Sequence, residues 1–173
     1  KLSVAYVIVI SLDLSVHRHV RKLCMILQPN SWSCLPTAFC NAFSQDYDDI
    51  IRAIGHDGSE IVDPTIPDPY GRKAIHPEEL IRVFFKRNKS IVTFEAEPTF
   101  NDNIIRLDKN SFYECISWFN RGVITGNYCM KDHAFTLFNH CMDVHDPANG
   151  QVFKFDDMIK LSTFKPYFFY GLV

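Results

Sequence analysis

The sequence predicts an α+β domain. Helix signals crowd the first half of the chain, while strand signals fill residues 123–173; this segregation points to α+β rather than to alternating βαβ units. The 173 residues match one ordinary domain. With 47% apolar against 22% charged residues, that domain can bury a core of its own. Aromatic residues reach 14%, so bulky packing and aromatic-lined pockets are expected.

Taken in order, residues 4–12 (VAYVIVISL) read as a strand from their β-branched and aromatic content. The run is too short to span a bilayer, and no small-residue cleavage site follows it. Residues 1–25 are read as an N-terminal extension of strand and linker, and residues 26–173 as the domain proper. The chain opens on Lys1 without a methionine, which reads as a processed or excised form.

A helix is expected to begin at Ser33 or Cys34. Pro36 fits its first turn, where a missing N–H costs nothing, and Ala38, Phe39, Ala42 and Phe43 share one face. A second helix is capped by Asp46, runs to Ile54 and stops at Gly55. Residues 55–75, rich in Gly and Pro, form a long loop that we read as a substrate-gating element. HPEELIRVFFKR starts a third helix at Pro77, and SIVTFEAE reads as a strand. SFYECISWFNRG reads as a helix stopped by Gly122. VITGNYC, HAFTLF, CMDVHDP, QVFKF and YFFYGLV then read as strands, the last as a core strand.

Net charge is −2 and no basic tract exists, which argues against nucleic acid as an obligatory partner. Lys86, Arg87 and Lys89 read as a solvated helix end. Six cysteines are too sparse for a disulfide framework, so the thiols are expected to be reduced, in an intracellular, cytoplasmic compartment. No membrane span is expected, and the oligomeric state is left open.

The stretch QPNSWSCLPTAFCNAF, residues 28–43, carries the chemistry. A thiol becomes a strong nucleophile at a helix N-terminus or beside an imidazolium, and Cys34 is placed for the first effect. His133 and Asp146 are placed for the second. A two-residue turn at Asn139–His140, or a four-residue turn centred there, sets His133 directly opposite Asp146, with Cβ atoms roughly 4.5–5.5 Å apart. A carboxylate so placed orients an imidazole. Gln28 offers a side-chain amide to an oxyanion, with the Cys34 N–H as a second donor. Asp132 and His145 fall on opposite strand faces from these residues. Zinc is the rival chemistry, through Cys129-x3-His133 and Cys141-x3-His145. In the same register Cys141 and His145 face away from His133, so neither a metal nor another cofactor is expected.

The order Gln28, Cys34, His133, Asp146 resembles a papain-like cysteine peptidase. More narrowly, Q-x5-C-x-P-T-A with DHAFTL…VHDPANG resembles the double-glycine peptidases that process bacteriocin leaders, over about residues 26–160. The resemblance implies a helical lobe carrying the Cys, packed on an antiparallel sheet carrying the His and Asp. It implies Cys34 as nucleophile, His133 as general acid/base, Asp146 as orienter and Gln28 in the oxyanion hole, acting on a peptide or protein substrate. Leu35 stands where that family usually has glycine. Deamidases and acyltransferases use the same triad, and a non-catalytic interaction module would keep the same fold; these readings stay open beside peptidase.

Overall fold

A computed structural model describes residues 25–96, 107–161 and 163–173. The strand read at residues 4–12, and all of the extension but Met25, lie outside the described residues.

Local end signals set the first three helices. Helix α1 (Cys34–Phe43) starts where expected and ends at Ser44 in a left-handed conformation. It is buried from Pro36 through Phe43, including Thr37 and Asn41, so it is a central helix rather than a one-faced one. Helix α2 (Tyr47–Ile54) is capped by Asp46, which accepts the Asp49 N–H at 2.9 Å, and stops at Gly55 with φ 94°. Helix α3 (Pro77–Lys86) opens on proline, with the Glu79 carboxylate accepting the His76 N–H at 2.9 Å.

Strand β1 (Ile91–Glu95) and helix α4 (Lys109–Ser117) follow, with the Asp108 side chain capping α4. Here the expectation fails: α4 ends at Ser117, and Gly122 opens β2 (Gly122–Tyr128). A Cβ on Gly122 would lie 2.3 Å from the Phe169 ring, so packing rather than helix termination demands this glycine. Strands β3 (Lys131–Phe138), β4 (Asp143–His145) and β5 (Val152–Lys154) come next. The strand expected over QVFKF stops at Lys154, and a short helix the sequence did not announce, α5 (Phe155–Lys160), intervenes before β6 (Phe164–Leu172).

The strands form one antiparallel sheet in the order β1-β6-β2-β3-β4-β5. The aromatic C-terminal segment is thus an interior strand, and its Phe169 and Tyr170 are buried. Successive residues of a strand point to opposite faces. Val123, Ala134 and Tyr170 pack with α1, α2 and α3 in one apolar layer. Ile124, Phe135 and Phe169 pack with α4 and α5 in a second. Among the described residues, no helix is long and apolar enough to cross a membrane.

The β3–β4 hairpin departs from the expected register. Thr136 pairs with His145 and Phe138 with Asp143, leaving Asn139–Met142 as the turn, centred one residue later than expected. Asn139, His140 and Cys141 all take left-handed φ values of 54°, 55° and 56°, a conformation that sequence alone did not suggest. The slip is two residues, so it changes partners without changing faces. Asp146 is therefore offset along the strand from the position opposite His133. Cys141 and His145, expected on one face, separate: Cys141 packs into the second layer, while His145 lies opposite Thr136, whose hydroxyl donates to the Ala38 carbonyl of α1.

Candidate active site

Cys34 is the first residue of α1, and the turn before it is fixed by its own polar side chains. The Ser33 hydroxyl donates to the Asn30 carbonyl at 3.1 Å, and the Trp32 N–H donates to Asn30 Oδ1 at 3.2 Å. Ser33 is fully buried, while Cys34 remains partly exposed. The thiol thus sits at the positive end of the helix dipole, open to a cleft.

His133 enters from β3, opposite Gly126 of β2. Beside that glycine the β2–β6 register shifts, and a Cβ there would lie 2.2 Å from the Lys165 carbonyl oxygen. The backbone is therefore drawn close behind the histidine. Asp146 follows β4 and is held on three sides: its N–H donates to Gln151 O at 2.9 Å, its carbonyl accepts from Gly150 N at 2.8 Å, and its Oδ1 accepts from Ala148 N at 2.8 Å. That oxygen also lies 2.8 Å from His133 Nε2. An ionised carboxylate only accepts, so Nε2 carries the proton and Nδ1 is the nitrogen left for a thiol.

Burial alone would lower the His133 pKa. The hydrogen bond to Asp146 and the neighbouring Cys34 outweigh it and raise the value to about 9. For Asp146, burial raises the pKa, but the bond from His133 and the Ala148 N–H lower it further, holding the carboxyl below its ordinary value. The two groups are thus charged together across neutral pH.

Gln28 is anchored through its backbone. Its N–H donates to the Pro147 carbonyl at 2.8 Å, next to Asp146. Two residues upstream, Ile26 gives its N–H to Asn41 Oδ1 at 2.7 Å and accepts from Asn41 Nδ2 at 2.8 Å. The Gln28 side-chain oxygen is buried, with no hydrogen-bond partner among the described residues.

All four expected residues, Gln28, Cys34, His133 and Asp146, line one cleft of about 820 Å3. The long loop forms its far wall, through Pro69, Tyr70, Arg72 and Lys73. Trp32 ties that loop to the turn before Cys34: its indole N–H donates to Asp57 O at 3.2 Å, and the Arg72 guanidinium stacks 3.8 Å from its ring. Leu35 also lines the cleft while packing against the first apolar layer. His145 is buried apart from the cleft, its pKa lowered by burial despite Asp146.

Sequence reasoning missed Asn41, Trp32 and Arg72. Each acts through a partner distant in sequence, and no local spacing signals such a contact. The described cysteines, Cys34, Cys40, Cys115, Cys129 and Cys141, are free thiols. Among the described residues, no three His, Cys, Asp or Glu side chains gather as a metal site. Chemically, the cleft offers a thiol, a proton acceptor oriented by a carboxylate, and a helix N-terminus facing the same space. No protein-family model matches the chain, and no curated protein matches it.

Proposed function

We propose that this chain is a cysteine peptidase of papain-like architecture, cleaving a peptide or isopeptide bond through a Cys34–His133–Asp146 triad. One observation carries the reading: the His133–Asp146 pair, joined at 2.8 Å, shares a cleft with a thiol at a helix N-terminus. The resemblance to double-glycine leader peptidases points the same way. Leu35 beside the nucleophile gives this cleft a bulkier wall than glycine would.

In the reaction Cys34 has already given its proton to His133 Nδ1, leaving a thiolate beside the imidazolium, and the thiolate sulfur bonds to the substrate carbonyl carbon. The oxyanion so formed is held by the Gln28 amide and the Cys34 N–H. The C–N bond then breaks, and the leaving amine takes the proton from His133. Water, deprotonated by the same nitrogen, attacks the thioester and releases the acid with a free thiol. Asp146 keeps the ring oriented and stabilises its charged form. Neither metal nor organic cofactor enters any step. The free thiols suit a reducing compartment.

The test is acyl-enzyme formation with p-nitrophenyl acetate, followed by peptide mass spectrometry. The reading predicts a transient acetyl group on Cys34 that is absent in Cys34→Ala and slow to form in His133→Ala. Equal acetylation of all exposed thiols overturns it. Release to water supports hydrolysis, whereas release only to an added amine moves the assignment to an acyltransferase.

A further inference from the structure

We infer that Asn41 is a positioning residue for the oxyanion site, acting through Gln28; the inference rests on the peptidase reading above. Asn41 follows Cys34 by seven residues on α1. At 3.6 residues per turn this is almost two full turns, so the two side chains lie on the same helix face, about 10 Å apart along the axis. Asn41 is only 4% exposed and spends its whole amide on one residue, Ile26, accepting its N–H at 2.7 Å and donating to its carbonyl at 2.8 Å.

An amide satisfies both backbone groups of a single residue as a neighbouring strand would, because it carries donor and acceptor side by side. Residues 26–28 are thereby registered against the helix that bears the nucleophile. Their other end is fixed where Gln28 donates to Pro147, beside the residue that orients His133. One rigid helix thus sets the distance between the thiol and the Gln28 amide, while the Asp146 turn sets the amide's height over the cleft. A donor displaced by about 1 Å loses much of its value for a developing oxyanion.

Two reagents separate this role from simple structural support. Iodoacetamide alkylates by displacement at a saturated carbon and forms no oxyanion, so it reports the thiol–imidazole pair. Acetylation by p-nitrophenyl acetate passes through a tetrahedral oxyanion and reports Gln28 as well. Asn41→Leu is expected to slow acetylation of Cys34 by about 10- to 100-fold, with the alkylation rate unchanged within about twofold. Gln28→Ala should slow acetylation by at least as much, and Asn41→Leu added to Gln28→Ala should cause no further loss. Asn41→Ser, which removes the paired amide without placing a charge against the Ile26 carbonyl, should give the same pattern and serves if the leucine variant does not fold.

Equal losses in both reactions would make Asn41 a structural residue only. So would Asn41 and Gln28 effects that multiply independently. Either result overturns the inference while leaving the peptidase reading intact. If wild-type Cys34 is not acetylated at all, the peptidase reading itself has failed.

Discussion

The two faces of the sheet differ in what they bury. On the α1 face, Ser33, Thr37 and Asn41 of the helix lie buried, as do Thr136 and His145 of the facing strands. Among the described residues, Thr37 Oγ1 and His145 Nδ1 there find no hydrogen-bond partner. The α4–α5 face is built from apolar side chains, among them Phe112, Ile116, Ile124, Phe135, Met158 and Phe169, with Phe169 edge-on to Phe119 and Phe135 edge-on to Phe164. Burying polar groups costs free energy unless each finds a partner. Both layers hold the molecule together, but the α1 layer also accepts the cost of buried polar groups around the helix that carries the thiol, while the His133 ring leans on Phe135 of the second layer, 4.6 Å between centroids.

That contrast breaks first at Cys34. Cys34→Ala is expected to abolish acetylation by p-nitrophenyl acetate while leaving the thermal midpoint within a degree or two, since the side chain is partly exposed. A large change in melting temperature would show the thiol to be a packing residue. The opposite layer should respond in the opposite way. Phe169→Ala removes a fully buried ring that contacts Phe94 and Phe119, and should cost about 3–5 kcal/mol in urea unfolding. The folded fraction should keep wild-type Cys34 reactivity; loss of that reactivity would couple the layers.

The pH dependence sharpens the comparison. The His133 pKa is raised from 6.5 to about 9, so its stabilising contribution is fully present below about pH 6.5 and is lost as pH rises through 9. Asp146 is lowered, so its share is present above its ordinary value of 3.8 and is lost as pH falls below that. Urea titrations should show stability declining between pH 6.5 and 9, and this decline should vanish in His133→Ala. A decline that survives the substitution would assign it elsewhere. The smallest effect concerns the α1 face itself. Thr37→Val removes an unpartnered buried hydroxyl and should be neutral or stabilising by up to about 1 kcal/mol. A loss above about 1 kcal/mol would mean that the hydroxyl is satisfied in solution.

What could be read from the sequence was what local chemistry decides. Asp46, Gly55 and Pro77 fix helix ends through caps and missing donors, and those ends fall as expected. Gly122 misled because its role lies in the Phe169 ring across the sheet, not in its own helix. The β3–β4 turn moved by one residue because three successive left-handed residues form it, and no Asn-Gly or Asp-Gly pair announces them. The meeting of His133 and Asp146 was still legible, since a two-residue slip preserves faces and leaves the two within reach. Asn41 was not legible: its bonds to Ile26 span fifteen residues and need the folded chain.

The most direct test of the central claim is the alkylation of every cysteine by iodoacetamide across pH, in wild type and in His133→Ala. Cys40 and Cys141, pushed up to about 12 chiefly by burial, should stay inert. Cys129 is exposed and serves as the free-thiol reference. The account predicts that Cys34 outpaces Cys129 at about pH 6 and that His133→Ala removes the advantage. Cys34 reacting no faster than Cys129, with no change in His133→Ala, would contradict it.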